Sequence, residues 1–356
     1  MTTEPEVLLE RRGEAGIITL NRPKALNALT HAMVREIDPQ LRAWARDDGV
    51  SRIILKATGE RAFCAGGDVR HIYDLGRAGH QDQSLAFFRD EYVLNHLIGT
   101  YPKPYVSLID GICMGGGFGL SAHGSYRVGG ERYLFAMPEV NIGLFPDVGG
   151  THVLPRLPKA SGIYLAFTGA RIKAADALHF GLLTHAVPSA RLPALEAALV
   201  AGGDVAATLA AHAHDPGPAP ALEHEAFVAE AFGHGDVLAV LEALDAAAAG
   251  TSASADFARD TASSLRGKCP TSLMLAAEQM RRGPNLDLAG CLQAEFRVVT
   301  RVLHGHDFYE GVRALLVDKD NAPRWQPDRL EHIDPAVIAA HFDPIPDELV
   351  FPIGPS

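Results

Sequence analysis

Cysteine is scarce and never closely spaced: Cys64, Cys113, Cys269 and Cys291 form no C-x-x-C couple. Neither a disulfide framework nor a zinc knuckle is therefore expected, and a reducing compartment fits. No apolar run reaches membrane-spanning length. Lys and Arg are nowhere concentrated, and the formal net charge is -11. Nucleic acid and anionic membranes are thus disfavoured as partners, while a local basic patch for a phosphate-bearing ligand stays open. The first residues, MTTEPEVLLERRGEAG, lack both the apolar core of a secretory signal and the Arg/Ser-rich amphipathic pattern of a presequence, so a cytoplasmic location is expected. Catalytic signatures are missing too. No H-E-x-x-H pattern occurs, so no metal site is expected. There is no G-x-S-x-G elbow, and Leu120 stands where a dinucleotide loop beginning at Gly115 would need its last glycine.

What is present is a globular chain of 356 residues, 47% of them apolar, enough for a sizeable core. Residues 7–9 and 17–20 read as a strand pair, 25–45 carries helical spacing, and 52–56 (RIILK) is a short β-branched run. A glycine loop, AFCAGGD, follows, then helical segments at 69–75 and 84–98. Residues 105–109 form another apolar strand, ended by the glycine triplet, with a small-residue helix after it at 118–123. Strand, glycine loop and helix thus occur twice, which predicts an α/β core whose strand ends deliver loops to one side. Beyond about residue 196 the sequence becomes Ala-rich with Leu, Val and Phe at helical spacing, and helices are expected at 286–303 and 307–319. The division expected is a core over 1–195 and a helical region over 196–356. No internal sequence repeat is evident.

The chemistry concentrates between Gly111 and Leu157 and in AFCAGGD. Gly66 and Gly67 stand between a strand and a helix, where N–H groups are free; taken alone the loop reads as an ordinary turn capped by Asp68. A second glycine loop, at Gly115 to Gly117, changes the balance. Two loops that each offer one backbone donor are the minimum for an oxyanion hole, worth roughly 3 kcal/mol per donor in acyl transfer, and Gly67 and Gly116 are the expected pair. Glu139 and Asp147 follow, with Gly143 and Pro146 between them to break any continuous helix. Singly, each acid could simply complement or cap a helix start. Beside two donor loops they supply the base or nucleophile that a held carbonyl needs. Ser121 and His123 make no dyad, because positions i and i+2 of a helix diverge. Glu91 reads as a solvated helix residue.

With those residues in view, the chain resembles the enoyl-CoA hydratase/isomerase (crotonase) superfamily, and within it the 3-hydroxyisobutyryl-CoA hydrolase branch. NRPKALNAL, AFCAGGDVR, YPKPYVSLIDGICMGGGFGLSAHGSYRV and FAMPEVNIGLFPDVGGTHVLPRL carry the likeness. It implies a crotonase-like spiral of ββα units with a helical C-terminal region, an acyl-CoA substrate whose CoA is no separate cofactor, and no metal. It also admits a homo-oligomer. By position it implies Gly67 and Gly116 as oxyanion donors and Glu91, Gly116, Glu139 and Asp147 as the substrate-contacting set. Lys24, Ala25, Ala62, Ala65 and Gly66 would lie beside the CoA moiety. Hydratases of this superfamily carry a glutamate where this chain has Gly119, and a small residue where it has Asp147. The resemblance therefore implies thioester hydrolysis by an oxyanion hole and carboxylates, with valine breakdown as its setting. The alternatives are a hydratase or isomerase using Glu139 alone, and a silent acyl-CoA-binding homologue.

Overall fold

In a computed structural model of the chain, residues 4–352 are described. An antiparallel hairpin, β1 (Val7–Arg12) and β2 (Ala15–Leu20), opens the fold. Helix α1 (His31–Arg46) follows, buried along Met33, Val34, Ile37, Leu41 and Trp44 and capped by Thr30, whose Oγ1 accepts from Met33 N at 3.2 Å. It begins later than the apolar spacing suggests. Asn27, fully buried, donates to Thr58 O and Ala62 O and accepts from Arg22 N, and it takes a positive φ together with Leu26. These side-chain bonds outcompete helix at 26–27.

Three rounds of two strands come next. The first is β3 (Arg52–Ala57) with β4 (Ala62–Cys64), followed by α2 (Val69–Arg77) and the long α3 (Gln81–Gly99). The start of AFCAGGD is thus strand rather than loop. The second is β5 (Tyr105–Ile109) with β6 (Ile112–Met114), followed by α4 (Gly116–Ala122), whose first turn already includes Gly116 and Gly117. The third is β7 (Tyr126–Gly129) with β8 (Leu134–Ala136), followed by a 3-10 turn, Glu139–Asn141. After it come α5 (Gly150–Val153), α6 (Ser161–Thr168), β9 (Ile172–Lys173), α7 (Ala174–His179) and β10 (His185–Ala186). Each round places one strand in each of two sheets: β1-β2-β3-β5-β7-β10 in the large one and β4-β6-β8-β9 in the small one. This is the ββα spiral, a structural repeat that leaves no sequence repeat because only backbone pairing recurs.

The β-branched run in β3 is buried along Arg52 to Leu55, as a parallel strand covered on both faces requires. Helices α8 (Leu192–Ala201) and α9 (Val205–His212) close the outer face of the large sheet, packing Leu195, Leu199 and Leu209 against Ile17, Ile54 and Val106. The remaining helices are α10 (Glu225–Phe232), α11 (Val237–Ala248), α12 (Ala255–Arg266), α13 (Pro270–Arg282), α14 (Leu288–Val302), α15 (Asp307–Val312) and α16 (Pro335–Ala340). The helix expected over 307–319 is shorter: α15 passes into a π-turn, Arg313–Val317. Helix α14 packs on α3 and α5, which brings the C-terminal region to the site.

Candidate active site

Three neighbouring strands of the small sheet end side by side. β4 pairs with β6 through Cys64 and Cys113, and β6 with β8 through Met114 and Ala136, all parallel. The residues that leave those strands, 65–67, 115–116 and 137–139, therefore converge beyond one sheet edge, where open α/β sheets hold ligands. A cavity of about 180 Å3 opens there, lined by Ala65, Gly66, Gly67, Glu91, Gly115, Gly116, Glu139 and Asp147 and walled by Ile72, Phe87, Phe88, Leu315 and Leu316.

Two of the lining residues, Gly67 and Gly116, have backbone amides without a backbone partner among the described residues. Leu29 N donates to Gly66 O and Asp68 N to Leu29 O, a parallel bridge that skips the N–H of Gly67. Gly116 opens α4, where first-turn N–H groups have no acceptor inside the helix. Both glycines of this loop are closely surrounded. A Cβ on Gly116 would stand 3.3 Å from Gly67 N and 2.8 Å from Glu91 Oε1, and one on Gly115, at φ +44°, would stand 3.1 Å from Glu139 Oε1. Asp68 does cap α2, accepting from His71 N at 3.3 Å.

Four carboxyl groups are buried around the cavity: Glu91 at 2% exposure, Asp147 at 4%, Glu139 at 5% and Glu295 at 0%. Glu139 stands on the 3-10 turn after β8, its Oε2 without a hydrogen-bond partner among the described residues. Burial, then the charge of Asp147, pushes its carboxyl well above the usual range. Asp147 caps no helix, since α5 starts three residues later behind Gly149. Its Oδ2 instead accepts from the Tyr92 hydroxyl at 2.8 Å, and burial raises it to about 7 against the lowering effect of that bond. Glu91 is not solvated: it faces inward from α3, one oxygen unpartnered, and burial followed by the charges of Asp147 and Glu295 raises it strongly. Glu295, on α14, is raised to about 8 by burial.

Of the residues singled out from sequence, Ala65, Gly66, Gly67, Glu91, Gly116, Glu139 and Asp147 come together at the cavity. Lys24 and Ala25 stand exposed on a 3-10 turn outside it. Ala62 is buried inside β4, its carbonyl held by Asn27. Ser121 Oγ bonds Gly117 O and His123 Nε2 bonds Val148 O, so the two form no dyad. Tyr92, Asn95, Glu295, Leu315 and Leu316 were not singled out. For two of them a signal existed: Glu295 on α14 and Asn95 on α3, four residues after Glu91, interrupt otherwise apolar helix stripes, and a polar residue in such a stripe marks a buried polar group.

The family model for enoyl-CoA hydratase/isomerase matches residues 15–342. The chain belongs to this family. Among curated relatives, 3-hydroxyisobutyryl-CoA hydrolase, mitochondrial, from Danio rerio is 47% identical over 91% of this chain and 86% of its own length. The human protein of the same name is 43% identical over 95% and 88%. Among solved structures, a carnitinyl-CoA dehydratase from Mycobacterium thermoresistibile is 42% identical with a TM-score of 0.92, covering 98% of this chain and 99% of its own. An enoyl-CoA hydratase from Rhodobacter sphaeroides is 38% identical with a TM-score of 0.90, covering 98% and 100%. The crotonase fold is thereby established. The cytoplasmic location expected from the N-terminal residues does not stand: the curated relatives are named mitochondrial.

A Cβ on Gly119 would stand 2.7 Å from Val148 Cβ and 2.9 Å from Asn95 Nδ2. No side chain fits there, so the second glutamate of a hydratase has no place in this site.

Proposed function

We propose that the chain hydrolyses 3-hydroxyisobutyryl-CoA to 3-hydroxyisobutyrate and CoA. The observation that carries this reading is the pairing of Glu139, beside two unpaired amides, with a closed position 119. The thioester oxygen would accept from the N–H groups of Gly67 and Gly116, which meet the charge as the tetrahedral oxyanion develops. Glu139 either attacks the carbonyl carbon, giving a mixed anhydride that water then opens, or takes a proton from the attacking water. In both routes the C–S bond breaks, CoA leaves as thiolate and is protonated, and the acyl group gains the water oxygen.

Asp147 orients the water or the acyl hydroxyl. Glu91, whose buried Oε1 has no partner, accepts from the 3-hydroxyl and so favours hydroxyacyl over plain acyl chains. Leu315 and Leu316 supply the apolar wall against the α-methyl. Ala65 and Gly66 line the cavity, and Lys24 and Ala25, exposed outside it, would meet the nucleotide end of CoA in this reading. Valine breakdown is the setting this substrate implies.

Incubation with 3-hydroxyisobutyryl-CoA and, separately, crotonyl-CoA tests the reading. Free thiol from the first and unchanged absorbance of the conjugated double bond in the second support it. Hydration of crotonyl-CoA without thiol release would establish the hydratase alternative, and inertness toward both the silent homologue.

A further inference from the structure

The turn that presents Asp147 is held in a conformation it would not adopt alone. Val148, a β-branched residue, has φ +51°, and Gly149 follows at φ +87°; left-handed backbone is disfavoured for Val and persists only where surroundings enforce it. The enforcement comes mainly from the C-terminal helices. Glu295 Oε2 accepts from Gly149 N at 2.8 Å and Oε1 from Thr151 N at 2.9 Å. Gln279, on α13, donates to Pro146 O at 2.8 Å and to Thr151 Oγ1 at 2.7 Å, while His123 Nε2 bonds Val148 O at 2.8 Å.

Glu295 stands out among these contacts. It is wholly buried and no cation among the described residues faces it; the titratable groups that it meets are Asp147 on the turn, Glu91 and Tyr92 on α3, Glu139 after β8, and Cys291 on its own helix. A buried carboxylate without a cation is costly, and a stable fold would more readily use an apolar residue. Its use here follows from the contact: the N–H donors of Gly149 and Thr151 meet two oxygens, which a carboxyl group offers and an amide side chain does not.

We propose that Glu295 is a positioning residue for the hydrolysis. It grips the strained turn through two amides so that the Asp147 side chain is held at the cavity. The proposal rests on the hydrolase reading for its kinetic consequence but not for its structural one. The position sits in the helical C-terminal region, far in sequence from every glycine loop, so that region completes the site rather than merely covering it.

The test compares the full-length chain with E295Q and E295D, all checked by near-UV circular dichroism. In E295Q one acceptor oxygen is lost. Thiol release from 3-hydroxyisobutyryl-CoA is expected to fall in kcat by about 100-fold with KM nearly unchanged. E295D keeps both acceptor oxygens on a shorter side chain and is expected to retain more of the parental kcat than E295Q. Amide hydrogen exchange over residues 146–151 is expected to quicken in E295Q. Parental kcat in E295Q, with only a lower melting temperature, would overturn the proposal, as would unchanged exchange. If E295Q does not fold, an E295D slowed in kcat with quickened exchange over 146–151 supports it and a fully active E295D overturns it. Should the parent itself release no thiol, the hydrolase reading fails, while the exchange measurement still decides whether Glu295 grips the turn.

Discussion

The Tyr92 hydroxyl donates to Asp147 Oδ2 across 2.8 Å, and both side chains are buried. The bond favours the ionised carboxylate, so it works against the burial that raises Asp147 to about 7. In Tyr92→Phe that support is gone and the carboxyl rises further. The acid limb of the pH profile is expected to move to higher pH, with a stability loss of about 1–3 kcal/mol for a buried acceptor left unpaired. A limb that stays in place or moves to lower pH, measured by thiol release across pH, would show that Asp147 does not titrate with activity.

Raised carboxyls also set how stability depends on pH. Asp147 at about 7 and Glu295 at about 8 both exceed their ordinary values, so the folded state binds their protons more tightly than the unfolded chain. Their contribution is complete below the ordinary carboxylate range and is lost as pH rises through the folded values. Urea midpoints are therefore expected to fall between about pH 5 and about pH 8, with a shallower slope in Asp147→Asn. A midpoint that climbs over that interval would contradict the burial assigned to these acids.

Position 119 offers a test of branch identity. With Val148 Cβ and the Asn95 amide already within 3 Å of where a Cβ would go, Gly119→Glu is expected to cost about 1–3 kcal/mol through overpacking and to add no hydratase activity on crotonyl-CoA. Appearance of crotonyl-CoA hydration in this variant would mean that the site differs from a hydratase by one side chain only.

Gly116→Ala probes the donor loops. The added methyl meets Glu91 Oε1 and crowds Gly67 N, so thiol release is expected to drop by about 100-fold, in the range for loss of one oxyanion donor. A variant within a few-fold of the parent would remove Gly116 from the oxyanion hole.

The strands and glycine loops were legible because each is local: a β-branched run in β3, glycines at the ends of β4 and β6, and acids between chain breakers at 139 and 147. Asn27 was not, since its hydrogen bonds reach Thr58 and Ala62, which helical spacing does not encode. Glu91 looked solvated for the same kind of reason: what buries it is the close approach of α3 to the glycine face of α4 and the packing of α14 behind it. Glu295 lies 148 positions beyond Asp147 in the chain, and only the fold brings its helix behind that turn. The π-turn that ends α15 early, setting Leu315 and Leu316 in the cavity wall, leaves no mark in apolar periodicity either.

Glu139 beside the two amides is the centre of the account, and single-turnover thiol release by Glu139→Gln measured against the parent tests it most directly. The substitution keeps size and removes the nucleophile or base, so the folded variant is expected to bind 3-hydroxyisobutyryl-CoA and release no CoA above background. Thiol release at the parental rate from that variant would contradict the role given to Glu139.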